Sequence, residues 1–203
     1  MRKIPFIIFI ITLAVCSSAP AQEKIKPLTR IEEKNTITID GRLSEPEWKQ
    51  AGTVQIKVRE GWTVTVAYMQ DGENLYFAFS NVKLEEKTEL YPEVLLDTGN
   101  EKTSAWDNND WWFHTSYSNC EGKGKFNDYT SCKKGEKEGW TGNNFPLEKD
   151  RAVEIKVKKS LIQVSEGDMV GMAFNVTDTQ KNWYFFPAAA TMEQPGSWMT
   201  VKL

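Results

Sequence analysis

A two-residue hydrophobic alternation returns along the whole length of this chain and restricts its fold more than any other feature. Val54, Ile56 and Val58 alternate with Gln55, Lys57 and Arg59. Val153, Ile155 and Val157 alternate with Glu154, Lys156 and Lys158, and Val170, Met172, Phe174 and Val176 with Gly171, Ala173 and Asn175. Met199, Val201 and Leu203 repeat the pattern at the end. Successive side chains of a strand point to opposite faces, so this period calls for sheets with one face on a core and the other in water. Residues 64–69 and 75–79 flank Asp71-Gly72 and predict a hairpin whose turn uses the freedom of glycine at positive φ. Helical signals are few. Ser44-Glu45-Pro46-Glu47 reads as a capping box with Ser44 as the cap, carrying Trp48 and Ala51 towards the core. A second turn is expected near residues 159–162. The pattern predicts an all-β, jelly-roll-like antiparallel β-sandwich with one or two helical turns.

The N-terminus predicts export. Arg2 and Lys3 precede ten residues, 6–15, that are apolar but for Thr12, and Ala19-Pro20-Ala21 supplies the small residues at which a signal peptidase cuts. A run of ten is too short to span a bilayer, which takes about 20 helical residues. Cys16 offers lipid attachment as an alternative, but Val15 stands where a lipobox carries Gly, Ala or Ser. The expected organisation is a signal peptide over residues 1–21, a polar tether over 22–30 and one domain over 31–203, located outside the cell, in the periplasm or in the cell envelope.

Losing the leader takes the net charge from −3 to −5, a balance opposed to the clustered cations that nucleic-acid binding requires. Cys120 and Cys132 remain, and an oxidising compartment favours one bridge between them. A zinc site is disfavoured because His114 is the one histidine. No G-x-S-x-G, H-E-x-x-H or phosphate loop is present, so the chain reads as a non-enzyme.

Thr38-Ile39-Asp40-Gly41-Arg42-Leu43-Ser44-Glu45-Pro46-Glu47-Trp48 resembles the opening of family 9 carbohydrate-binding modules and their relatives, including haem-binding DOMON-like sandwiches. Further segments are similar in the same order: the hairpin of residues 64–79, the acidic strand Glu93-Val94-Leu95-Leu96-Asp97, the strand Ala152–Val157, the strand ending Phe174-Asn175-Val176-Thr177-Asp178, and Pro195-Gly196-Ser197-Trp198. The resemblance covers about residues 31–203. It implies a β-sandwich that binds sugars without cleaving them, clamps a terminal sugar between two Trp and holds structural calcium. Tyr91 falls where the first clamp residue is expected. The stretch before Pro195 carries no aromatic for the second.

Aromatic rings pack on the apolar face of a pyranose while amides and charges take its hydroxyls. The chain has eight Trp, and the candidates are those beside polar groups. Trp140 lies in a Gly-flanked stretch with Asn143 and Asn144, Trp62 follows Gly61, and Trp183 follows Asn182; with Tyr91 these form the predicted carbohydrate site. Trp48 and Trp198 read as core. Residues 110–117 read as a strand with Trp111, Phe113, Thr115 and Tyr117 on one face and Trp112, His114 and Ser116 on the other. His114 is expected to be a satisfied structural residue. Asp97, Asn100, Asp107 and Asp110 are oxygen-rich enough for calcium, although Asx turns share that composition. The expected ligand is a polysaccharide or oligosaccharide, with a glycan-degrading enzyme or envelope protein as companion. Two other readings stay open: an assembly component of the envelope that binds protein, and a haem protein using His114 with Met69, Met172 or Met192.

Overall fold

The computed structural model describes residues 26–32, 37–85, 88–125, 131–144 and 151–203. The leader, its cleavage point at Ala21, Cys16 and the start of the tether lie outside the described residues.

Two sheets face each other. The larger is ordered β1 (Lys26–Pro27), β13 (Met199–Lys202), β11 (Met169–Asp178), β6 (Thr88–Asp97), β7 (Asp110–Thr115) and β8 (Asn119–Lys123). In the same sheet β12 (Trp183–Phe186) pairs with β11, and β5 (Lys83–Glu85) with β6. The smaller is ordered β2 (Gly52–Arg59), β3 (Trp62–Gln70), β4 (Asn74–Ser80), β10 (Val153–Lys158) and β9 (Trp140–Gly142). Pairing is antiparallel throughout except between β1 and β13. The sandwich expected from the alternation is the observed fold.

The alternating apolar residues meet between the sheets. Val54, Ile56, Val64, Val66, Phe77, Phe79, Val153 and Ile155 from one sheet pack on Val94, Leu96, Phe113, Met172, Phe174 and Val201 from the other. Phe174 lies at the centre, 5.7 Å from Tyr68, 5.8 Å from Phe77 and 6.0 Å from Phe79 between ring centroids.

The outer faces depart from the expectation of water on one side. On the smaller sheet Ala67, Met69, Tyr76 and Ala78 are covered by Ile31, Ile37 and Trp48. On the larger sheet Leu95, Trp112 and Ala173 are covered by Ala190, Met192 and Trp198. Segments outside the strands thus act as partial third layers, which is why Ala173 and Asn175 of β11 and Glu154 of β10 are buried although they alternate with core residues.

Two local expectations are corrected. The helical turn is a 3-10 turn over Pro46–Lys49 that begins after Glu45, and no side chain caps it, so Ser44 is not the cap. Trp48 does face a core and Ala51 packs beside it. In the hairpin turn Gly72 does not take positive φ. Instead the Asp71 carboxylate accepts the amides of Glu73 at 2.7 Å and Asn74 at 2.6 Å, an Asx turn that closes the connection through a side chain. The second helical turn, α1 (Lys159–Ile162), lies where expected. Cys120 and Cys132 form the disulfide, which ties β8 to the chain leading towards β9.

Candidate functional site

Cross-strand register places the candidate aromatics. Thr177 on β11 is opposite Trp183 on β12 and Tyr91 on β6, so these three side chains share one row on the outer face of the larger sheet. The next row on that face is Phe185, Asn175, Glu93, His114 and Cys120. The row after that is Ala173, Leu95, Trp112 and Gly122, which lies under the covering segment. The outer face is therefore closed over its middle, and exposure returns only at its end, where Thr177 and Tyr91 are half-buried and Trp183 is exposed.

The open half has aromatic margins and a polar floor. Trp183 is 41% exposed and meets Phe185 edge-on at 6.4 Å. Tyr117 is 57% exposed, and its hydroxyl donates to Glu89 Oε2 at 3.3 Å. Tyr91 is half-buried, and burial together with the nearby charges of Tyr117 and Glu89 raises its pKa. Between these margins the buried Glu93 meets His114 Nδ1 through Oε1 at 3.0 Å, and His114 Nε2 lies 3.0 Å from Ser116 Oγ. The Thr177 hydroxyl donates to Asn175 Oδ1 at 3.0 Å, and Asn175 Nδ2 donates to the Tyr184 carbonyl at 3.3 Å. Neighbouring strands are about 4.8 Å apart, so Trp183 and Tyr91, two strands apart, stand about 10 Å from each other with only Thr177 between them.

Other expected site residues lie elsewhere. Trp140 belongs to a short strand that pairs with β10 rather than to an open loop, and its side chain turns inward. It is 3% exposed, meets Phe113 edge-on at 5.3 Å and donates Nε1–H to Glu121 Oε2 at 2.9 Å, so it presents no ring face to a sugar. Trp62 is also 3% exposed; Arg59 lies 5.3 Å above its ring and its Nε1–H donates to the Asn81 carbonyl at 2.8 Å. Asn143 spends both ends of its amide on the backbone, donating to the Ala152 carbonyl and accepting from the Glu154 amide. Asn144 is half-buried beside it, and its Oδ1 is enclosed. Trp140 and Asn143 hold β9 against β10 and Trp62 ties β3 to Asn81, all on the smaller sheet or its edge and away from the Trp183 row of the larger one.

The residues that the sequence reading did not assign to the site are Glu93, Asn175, Thr177, Ser116 and Tyr117, with His114 read as structural. Polar side chains at positions 93, 175 and 177, out of phase with the core residues of their strands, were the available signal. Only the pairing register shows that they form one patch.

The acidic residues expected to bind calcium lie at the opposite end of the same face. Asp97 and Asp110 are direct cross-strand partners and both are buried. Gly171 completes the row, and a Cβ there would come 2.9 Å from that of Asp97, so glycine is what makes space for the carboxylate. Asp110 Oδ2 accepts the Asp107 amide at 2.7 Å. Burial, with the charges of Asp97, Asp107 and Glu101 adding to it, pushes the Asp110 carboxyl up to about 7. One oxygen each of Asp97, Asp110 and Asn109 is enclosed without a hydrogen-bond partner among the described residues. Asn100 accepts the Thr200 hydroxyl at 3.0 Å and faces β13 instead. Among the described residues no three His, Cys, Asp or Glu side chains converge as a metal site. Carboxylates alone therefore do not build one here, and a calcium ion would need amide and carbonyl oxygens as well.

The haem alternative does not fit. His114 has both ring nitrogens engaged, by Glu93 and Ser116. Met172 lies in the central core and Met69 on the outer face of the other sheet, while Met192 is buried under the covering segment.

No family model matches the chain, and no curated protein matches it. Solved structures do. A family 9 carbohydrate-binding module from Caldicellulosiruptor kristjanssonii in complex with cellotriose superposes with a TM-score of 0.59 at 14% identity, covering 86% of this chain and 92% of that one. A family 9 module from the same organism in complex with glucose gives 0.58 at 16% identity, covering 86% and 95%. This chain has the fold of a family 9 carbohydrate-binding module.

Proposed function

We propose that this chain is an exported, non-catalytic carbohydrate-binding module that holds a glycan end or short oligosaccharide on the open half of the larger sheet's outer face. The observation that carries this reading is the row Trp183–Thr177–Tyr91: two aromatics two strands apart, Thr177 between them, and the half-buried His114 and Ser116 beside it. Stacking supplies affinity, and the imidazole and hydroxyl groups of His114, Ser116 and Thr177 orient the sugar's hydroxyls. The two solved modules of this fold carry cellotriose and glucose, which supports the same ligand class. Calcium, if bound, is structural in this reading; the enclosed oxygens of Asp97, Asp110 and Asn109 are its donors. The companion is a polysaccharide and the enzyme or envelope protein that works on it.

The test is titration of the protein with glucose, cellotriose and a panel of other oligosaccharides, read by calorimetry and Trp fluorescence. Saturable binding is expected for at least one sugar, with Trp183→Ala and Tyr91→Ala each weakening it at least tenfold while the circular dichroism spectrum stays unchanged. A folded protein that binds nothing in the panel would favour an assembly component of the envelope, with the same exposed aromatic face meeting protein.

A further inference from the structure

The exposed large hydrophobic side chains among the described residues are Trp183 and Tyr117, and both stand at the same end of the larger sheet's outer face. The reading above uses only the first. Tyr117 lies in the tight turn between β7 and β8, which the Ser116 amide closes by donating to the Ser118 carbonyl at 3.1 Å. Alternation carried on from Trp111, Phe113 and Thr115 would direct its ring into the core. The turn interrupts that alternation, and the ring reaches the outer face instead, where its hydroxyl donates to Glu89 Oε2 at 3.3 Å.

Glu89 fixes where that ring stands. It lies two residues before Tyr91 on the same side of β6, and its other oxygen meets Lys83 Nζ at 3.0 Å. The Tyr91 pKa is raised by burial and, next, by the charge of Tyr117, so the two phenols are neighbours. The three rings form a path. Trp183 is two strands from Tyr91, about 10 Å, and Glu89 is about 7 Å from Tyr91 along β6. No single pyranose touches both Trp183 and Tyr117, whereas successive units of one chain do.

The path is exposed at both ends. Among the described residues β12 pairs with β11 alone, so no strand continues the sheet beyond Trp183. Tyr117 is at the tip of a turn. The covering segment of Ala190, Met192 and Trp198 closes the face alongside the path, over Leu95 and Trp112, and not across either end. A site that reads a chain end needs a wall at which the terminal unit stops. Here the middle ring, Tyr91, is half-buried and the outer two are exposed, which is the profile of a surface along which a chain continues.

We propose that Tyr117 forms a further aromatic subsite, and that the module grips an internal stretch of a glycan chain laid over Trp183, Tyr91 and Tyr117. This rests on the sugar-binding reading above and decides between its two ligand forms, for the chain segment and against the glycan end.

The experiment measures the full chain's affinity for cello-, xylo- and manno-oligosaccharides of increasing length, and its binding stoichiometry on hydroxyethyl cellulose, xylan and galactomannan. Wild type, Tyr117→Ala, Tyr117→Phe and Trp183→Ala are compared, with thermal melts as the check on folding. In at least one series affinity is expected to rise about tenfold or more from the monosaccharide to the tetrasaccharide, and several protein molecules should load on each polymer chain. Tyr117→Ala should cost about tenfold on the tetrasaccharide and leave the monosaccharide unchanged, while Tyr117→Phe, which keeps the ring, should stay close to wild type. A monosaccharide bound as tightly as the tetrasaccharide, or one protein per polymer chain, with binding still lost in Trp183→Ala, would overturn the chain-segment reading and keep sugar binding. Length dependence that survives in Tyr117→Ala would overturn Tyr117 as the subsite. Binding of no sugar in any series would overturn both readings.

Discussion

The larger sheet's outer face contains two adjoining regions built on the same strands, and they differ in what lies over them. In the closed region Leu95, Trp112 and Ala173 lie under Ala190, Met192 and Trp198, and Trp106 meets Trp198 edge-on at 5.6 Å. There is no room for anything else: a Cβ on Gly122 would come 1.9 Å from Trp112 Nε1. One row away, Glu93 and Asn175 are buried too, with His114 and Thr177 half-buried, on the same outward positions of the same strands. Strand geometry alone makes no distinction between the two regions. The neighbours do: under Ala190, Met192 and Trp198 the outward side chains are apolar, while one row on the buried Glu93 and Asn175 are held by hydrogen bonds to His114 and the Tyr184 carbonyl. An aromatic margin around a polar floor is the arrangement left at the border of a third layer that stops half-way.

The strongest way to break this comparison is to remove the cover. Trp198 is 2% exposed and donates Nε1–H to the Thr191 carbonyl at 2.8 Å. Trp198→Ala should cost about 4 kcal/mol of unfolding free energy, as large-to-small changes of buried Trp do. Trp183→Ala, in the open region, should cost under about 1 kcal/mol, because more than a third of that side chain is already in water. Denaturant melts of the two variants read the difference directly, and similar losses would mean that the open region is packed like the closed one.

The next effect is the disulfide. Cys120 lies on the row of Glu93 and His114, and its bond to Cys132, twelve residues on, closes a short loop at that row's end. Replacing both with Ser should destabilise the protein by roughly 3 kcal/mol on the chain-entropy account. If the bridge also holds β8 against β7, sugar affinity falls with it. Unchanged affinity in a destabilised variant would show that the polar floor is set by β6, β7 and β11 alone.

How much of this was legible in the sequence follows from the range of each signal. The alternation at residues 153–157 and 170–176 is local, and it identified the strands and their inward faces. The turn near residues 159–162 and the pairing of Cys120 with Cys132 were equally within reach. The faces that alternate with the core were not. Glu154 reads as a solvated charge until the Asp40–Gly41 turn is seen to lie on it, more than a hundred residues away in the chain. Trp140, flanked by Gly139 and Gly142, reads as a loop residue, and only its pairing with Val157 turns it inward. Trp183 and Tyr91 were both candidates from their neighbours, but that Thr177 sets them in one row is a property of register, which no local pattern encodes.

The smallest effect concerns the third region of the face, the Asp97–Asp110 row beyond the cover. Asp110 is held up to about 7, chiefly by burial, and Glu154, also buried, is raised to about 7 on the other sheet. For both groups the folded state keeps its proton to higher pH than the unfolded chain, whose carboxyls ionise near 4. Between pH 4 and 7 the folded protein therefore binds more protons, and unfolding free energy falls as pH rises through that window and levels off above it. The melting temperature should be several degrees higher at pH 5.5 than at pH 7.5 in chelator, the reverse of what salt-bridged carboxylates produce. Asp110→Asn should remove about half of that dependence and Glu154→Gln the rest. Calcium offers a sharper cut. If the enclosed oxygens of Asp97 and Asp110 hold the ion, adding it at pH 7.5 raises the melting temperature of the wild type and of Glu154→Gln, and leaves Asp110→Asn where it was. A calcium shift equal in all three proteins would place the ion away from this row, and no shift in any would leave the row as an acid pair stabilised by protonation alone.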